Sequence, residues 1–308
     1  MRPSVSRPRL GFAPPAMRRP EALRAFLEAV LLRWEASTPA ASRAMEYLRA
    51  ASGSGVVMDH LAFRTLDVAG GMAPVIEALE GLGYERSGEA LSFPKKHVAA
   101  TWLRPPPKDD GGYFPRVFVS ELECNKLPAE AADALRRITA GVAAPTPVEA
   151  MACLALGARP WPAPSKADYN AVLEVSDYGA WTAAHGMLLN HGAVAVHRLS
   201  DGFCDAHALA DALASHGVSL STAGGVVKES PDGLLLQVAS QADNVGVTFK
   251  GGEEASVPGA YVEFAERRPL PGVALPRVEW DEFRDVRDGF ETASADSIFE
   301  ATDATKAL

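Results

Sequence analysis

Two short runs of this chain carry the same signature, and together they leave few folds open to it. Asp59-His60 opens DHLAFRTL (59–66), and Asn190-His191 opens NHGAVAVHRL (190–199). Both runs are alternating or apolar, the pattern of a half-buried or fully buried strand. Each leads into a helix-like stretch and then a hairpin-like stretch. In the first copy Met72, Val75, Ile76, Leu79 and Leu82 form a helical stripe that stops near Gly83. Residues 84–104 read as two strands with a turn near 92–95, and PRVFVSEL (115–122) as a closing strand. In the second copy 206–216 reads as a helix ended by Gly217. GGVVKESPDGLLLQVAS (224–240) reads as a hairpin turning at Ser-Pro-Asp-Gly, and 245–249 and 260–265 as further strands. The repeat is one of element order, β-α-β-β-β, rather than of residue identity. It predicts an α+β fold of paired βαβββ modules whose half-open sheets face each other across a barrel-like cavity.

The other segments frame these modules. Leu23, Phe26, Leu27, Val30, Leu31 and Trp34 give 21–35 the spacing of an amphipathic helix, and a second helix is expected over roughly 39–51. Residues 128–141, 146–157 and 168–188 read as three inserted helices. Module one then spans about 56–122, the insertion about 126–188, module two about 189–267, and a tail 268–308. We expect 21–302 to act as a single catalytic domain. In the tail, 296–301 reads as a short helix that closes over a site or docks on the surface.

The first twenty residues hold Arg2, Arg7, Arg9, Arg18 and Arg19 beside Ser4 and Ser6, with no acidic residue. That composition is typical of a transit peptide and predicts plastid delivery, with mitochondrion or cytoplasm as alternatives; a disordered start is the plainer reading. A formal net charge of −9 gives nucleic-acid binding no support. No apolar run approaches the roughly 20 residues of a membrane-spanning helix. Cys124, Cys153 and Cys204 are odd in number and widely spaced, so they predict buried apolar residues rather than a disulfide framework. No protein partner can be deduced.

The chemistry concentrates on the repeated histidines. His60 and His191 each open the first strand of a module, and GAYVEFAER (259–267) places Glu263 between Val262 and Phe264. A carboxylate in an apolar strand is costly unless paired or metal-bound. Two imidazoles and one carboxylate on one face of a metal leave the opposite face open, which suits non-haem Fe(II); Zn²⁺, Mn²⁺ and Co²⁺ also accept such donors. His197 has the strand parity of His191 and is its rival. Glu266 lies one step off the alternation of Glu263, beside Arg267 and Arg268, where an ion pair is the simpler expectation. His60, Ala62 and Arg64 share a strand face. Arg64 either grips an anionic substrate group or forms a salt bridge at the sheet edge. His97, His185, His207 and His216 read as surface or structural. GGVVKES lacks phosphate-loop spacing, and neither GxSxG nor HExxH occurs.

DHLAFRT, FPKKHVAATWLRPP, PRVFVSEL, GGVVKESPDGLLLQ, VPGAYVEFAER and DGFETASADSIFEAT, in that order, closely resemble the 2-oxoadipate dioxygenase/decarboxylase family of the vicinal oxygen chelate superfamily, over about 21–302. The resemblance implies Fe(II) on His60, His191 and Glu263, with His191 preferred to His197 and Glu266 behind Glu263. It implies a substrate-binding arginine at Arg64 and, more loosely, substrate contacts near Ala293 and Ser294. The implied reaction is 2-oxoadipate plus O2 giving 2-hydroxyglutarate and CO2 in lysine catabolism, in a family with plastid members. A glyoxalase-like isomerase or lyase, or a non-catalytic binding protein, is the alternative within this fold.

Overall fold

The computed structural model describes residues 19–52, 55–107 and 114–291. The transit segment except its last two residues, the substrate contacts expected at Ala293 and Ser294, and the helix expected at 296–301 lie outside them. The first module comprises β1 (Met58–Leu66), α3 (Ala73–Gly81), β2 (Glu85–Arg86), β3 (Leu91–Phe93), β4 (Val98–Arg104) and β5 (Arg116–Leu122). The second comprises β6 (His191–Ala195), α8 (Ala206–Ser215), β7 (Lys228–Glu229), β8 (Leu235–Ala239) and β11 (Tyr261–Arg267). Helices α1 (Arg19–Ser37) and α2 (Pro39–Ser52) precede them; α4 (Ala129–Ile138), α5 (Pro147–Leu156), α6 (Lys166–Leu173) and α7 (Asp177–His185) lie between them.

All the module strands belong to one mixed sheet in the order β2-β4-β5-β1-β6-β11-β8-β7, with β3 also on β4. Each closing strand returns parallel to the opening strand of its own module, β5 to β1 and β11 to β6. The modules meet where β1 pairs antiparallel with β6. The expected paired βαβββ architecture is therefore present as one continuous, unclosed sheet rather than two separate ones. Burial explains the strand sequences: every residue of β1, β6 and β11 is buried, so these central strands read as apolar runs rather than strict alternation.

One face of the sheet, with Leu61, Phe63, Val117, Val119, Val194, Val262 and Phe264, packs in a common core with α1, α2, α3, α5 and α8. The other face carries Ala62, Trp102 and Phe118, and α4, α6 and α7 pack against its first half. Trp34 ties α1 to the centre: it is almost fully buried, and its Nε1 donates to the Tyr261 carbonyl at 3.2 Å. Gly192 makes this approach possible, because a Cβ there would lie 2.8 Å from Met58 and 3.2 Å from the Trp34 ring. Trp34→Ala is expected to lower unfolding free energy by about 3–5 kcal/mol, read from urea denaturation midpoints.

Two local expectations are corrected. The helix expected over 168–188 is two helices. Ser176 takes an extended conformation and its hydroxyl accepts from the Gly179 N–H at 3.0 Å, starting α7 afresh. Side-chain capping outweighs the continued apolar periodicity there. The strand expected at 245–249 exists as β9 (Asn244–Thr248), but it leaves the main sheet and pairs with β10 (Glu254–Pro258) as a separate hairpin.

Candidate metal centre

Strand register brings the candidate ligands together. His60 stands opposite Ala193 of β6, and Ala193 opposite Glu263 of β11. One row along, Ala62 stands opposite His191, and His191 opposite Tyr261. All point to the same face. The alanines between the ligands leave room for the longer side chains to converge. His60 Nε2 lies 3.7 Å from one Glu263 carboxylate oxygen, and His191 Nε2 lies 3.6 Å from the other. One ligand atom from each of the three falls within 4.8 Å of the others, and all three side chains are buried.

The residue before each histidine orients it. Asp59 Oδ2 lies 2.8 Å from His60 Nδ1, and Asn190 Oδ1 lies 3.1 Å from His191 Nδ1. Asp59 is held well below the usual carboxylate range: burial opposes this, but Arg267, the His60 hydrogen bond and Arg116 outweigh it. An ionised Asp59 only accepts, so Nδ1 of His60 donates to it and Nε2 is the ring nitrogen that faces Glu263. Asn190 does the same for His191 through its carbonyl oxygen. A register irregularity between Met58 and His60 accompanies the contact between the adjacent side chains of Asp59 and His60. The repeated Asp/Asn-His pair is thus two candidate ligands, each with an orienting group beside it.

The three donors fit a divalent cation. Burial pushes the Glu263 carboxyl up, with His60 and Gln237 opposing, and pulls the His191 ring well down, helped by the charges of His60 and Arg64. A buried carboxylate facing two imidazole nitrogens gains most from a positive ion bound among them. Gln237 Nε2 donates to Glu263 Oε1 at 2.7 Å and fixes the carboxylate. The sequence reading missed Gln237. The available signal was a lone amide in the apolar run LLLQVAS.

The rivals go elsewhere. β6 ends at Ala195 and the chain turns into a 3-10 segment, Val196–Arg198, so the parity that aligned His197 with His191 no longer applies. His197 Nδ1 accepts from the Arg267 N–H and its Nε2 faces Glu282 at 3.1 Å. Asp59, His197 and Glu282 form a second close cluster. Arg116, Arg198 and Arg267 pair with its carboxylates, so its charge is already balanced by cations. Glu266 is not behind Glu263: it caps the start of α8 through the Ala206 N–H and pairs with Arg268.

Arg64 lies on the ligand-bearing face of β1, two residues past Ala62. Because β1 is central, the sheet-edge reading fails. Its guanidinium carbon sits 4.7 Å from the centre of the Tyr178 ring and 5.2 Å from that of Trp181, both on α7. Burial lowers its pKa, with Tyr261 the largest opposing influence. On the opposite side the site has an apolar wall. Phe290 packs 4.9 Å from His60, 5.0 Å from Phe118 and 5.8 Å from Trp102, ring centre to ring centre. Phe118 pairs with Ala62 in the first module as Glu263 pairs with Ala193 in the second. An aromatic ring thus stands where internal symmetry would put a fourth ligand, and this side of the centre has no donor from β5.

The comparisons agree with this architecture. The family model for 2-oxoadipate dioxygenase/decarboxylase matches residues 29–282. The chain is 36% identical over 274 residues to a chloroplastic 2-oxoadipate dioxygenase/decarboxylase of Arabidopsis thaliana, covering 86% of this chain and 73% of that protein. A crystal structure of hydroxyglutarate synthase in complex with 2-oxoadipate from Oryza sativa superposes with a TM-score of 0.89 at 32% identity, covering 96% of this chain and 98% of that one. A putative glyoxalase superfamily protein from Ralstonia eutropha shares the fold with a TM-score of 0.68 at 24% identity, over 87% of each chain. With the family model spanning most of the sequence and a long relative above 30% identity, the chain belongs to the 2-oxoadipate dioxygenase/decarboxylase family.

Proposed function

We propose that this chain is an Fe(II)-dependent enzyme that converts 2-oxoadipate and O2 to 2-hydroxyglutarate and CO2. The observation that carries the reading is the convergence of His60, His191 and Glu263 on a face that also holds the buried cation of Arg64. Iron(II), when bound, would supply neighbouring coordination positions for the 2-oxo acid head and for dioxygen. His60, His191 and Glu263 would hold it, with Asp59, Asn190 and Gln237 keeping their donor atoms aimed.

The protein's own part is then binding, orientation and exclusion of water. Arg64 pairs with the distal carboxylate, and the Tyr178 and Trp181 rings hold its guanidinium in place. Along the sheet, Arg64 is about two residues, or roughly 6–7 Å, beyond the His191 row. A dicarboxylate can therefore span from the ligand cluster to the arginine. Trp102, Phe118 and Phe290 shield the head group from water. The substrate brings its own 2-oxo acid, so no second oxo acid is consumed.

We further propose that residues 21–302 work as one catalytic unit, that the protein acts in the plastid, and that it serves lysine catabolism. The chloroplastic designation of the Arabidopsis relative supports the plastid assignment.

The test is oxygen uptake by protein reloaded with Fe(II). The expected result is one O2 consumed, with one CO2 and one 2-hydroxyglutarate formed, per 2-oxoadipate. Turnover of a 2-oxo substrate under argon with no O2 requirement would overturn the proposal in favour of an isomerase or lyase.

A further inference from the structure

Behind the ligand cluster lies a buried charge network of which the reaction as described uses only Asp59. Its centre is Arg267, four residues beyond Glu263 on β11 and almost fully buried. Its Nε and one terminal nitrogen donate to the two oxygens of Asp59, at 2.7 and 2.9 Å. Its other terminal nitrogen donates to the carbonyls of Arg287 and Gly289, at 2.8 and 2.9 Å. One side chain therefore grips both the carboxylate that orients His60 and the backbone on either side of Asp288. Phe290, which packs on the His60 ring, is the next residue after Gly289. Arg116 reinforces the same span: it donates to Asp288 at 2.7 Å and to the Glu282 carbonyl at 2.8 Å, and lies 3.5 Å from Asp59.

We propose that Arg267 is a positioning residue that locks the His60 ring and the Phe290 wall into register with each other. The geometry requires a planar fork. Arg267 makes four hydrogen bonds in two directions, toward a carboxylate on one side and two carbonyls on the other. A lysine ammonium is a point charge on a flexible stem and cannot span both sets. With the fork gone, Asp59 still has Arg116 nearby, but the anchored carbonyls of Arg287 and Gly289 lose their donor. The His60 ring is then free to rotate about an orienting group no longer fixed, and the segment carrying Phe290 is freed with it. A residue that only stabilised the fold would loosen the whole sheet rather than these two places together.

The inference rests on the metal-site reading above, and its test is separable from it because no readout requires turnover. Metal-free wild type and Arg267→Lys are titrated with Mn²⁺, and backbone amide exchange is followed by mass spectrometry. Mutating the group that orients a metal ligand typically costs about 10–100-fold in metal affinity, and for Arg267, one contact further out, a loss near the lower end of that range is expected. Amides of 284–291 are expected to exchange at least about tenfold faster, while those of β4 and β5 stay within about twofold of wild type. Arg267→Gln, which keeps a planar donor but not the fork, is expected to show both effects as well; it carries the test if Arg267→Lys does not fold. Unchanged exchange in 284–291 in either variant overturns the proposal, as does Mn²⁺ affinity for Arg267→Lys within twofold of wild type. If wild type binds Mn²⁺ no better than His60→Ala, the metal-site reading fails by itself, and the exchange comparison still decides whether Arg267 anchors the segment.

Discussion

Glu263→Ala is expected to lose bound metal and 2-oxoadipate-dependent oxygen uptake together, to the level of chelator-treated wild type. The two remaining imidazoles supply no negative charge, and a divalent ion in so buried a site depends on one. The stability effect should be different. Without metal, Glu263 is a buried carboxyl whose ionised form burial disfavours, and its Gln237 hydrogen bond only partly offsets that. Glu263→Gln, which keeps the volume, should therefore melt no lower than metal-free wild type while failing to bind metal. Calorimetry with and without added Fe(II) under anaerobic conditions measures both: wild type should gain melting temperature with metal, and the variant should not. A variant that keeps metal-dependent oxygen uptake would remove Glu263 from the ligand set.

Arg64→Leu carries the second large effect. Truncating one partner of a buried charge pair typically costs about 2–5 kcal/mol. That corresponds to a loss of roughly 30-fold to several thousand-fold in kcat/KM for 2-oxoadipate. The loss should fall mainly on KM, because the contact is to the end of the substrate remote from the chemistry. The variant should also reverse selectivity. 2-Oxohexanoate has the same carbon count but ends in a methyl group, and it should be handled better by Arg64→Leu than by wild type. Metal content should be unchanged, since Arg64 is outside the three-donor set. Equal kcat/KM ratios for the two substrates in wild type and variant would show that Arg64 does not read the distal carboxylate.

The candidate ligands are legible in the sequence because the repeat makes them conspicuous. His60 and His191 stand at equivalent places in two copies of one strand, and Glu263 is a charge in an otherwise apolar strand. Parity along β1 also put Arg64 on the ligand face. Beyond the local parity of a continuous strand, the sequence says less. His197 was matched to His191 by counting in twos, but the chain turns into a 3-10 segment before reaching it. Glu266, which the resemblance puts behind Glu263, lies on the other face of β11, where it forms the ion pair with Arg268 that its position suggests and accepts from the Ala206 N–H at the start of α8. Gln237, which does hold Glu263, lies on another strand 26 positions away, beyond the reach of a local pattern.

The long-range partners follow the same division. Periodicity and capping are local, and they determined from sequence alone most of the described helices (though not the break between α6 and α7), the β-α-β-β-β order of each module and the strand faces of His60, Arg64 and Glu263. Ordered similarity added the family. The meaning of the Asp/Asn-His pair was decided only by tertiary structure, because a side chain's hydrogen-bond partner depends on backbone irregularity as well as on spacing. The joining of two modules into one sheet through β1 and β6, the placing of Tyr178 and Trp181 under Arg64, and the grip of Arg267 on both Asp59 and the segment before Phe290 were likewise decided there. Those contacts link residues up to 208 positions apart. Only the assembly of both modules into one sheet brings them within hydrogen-bond range.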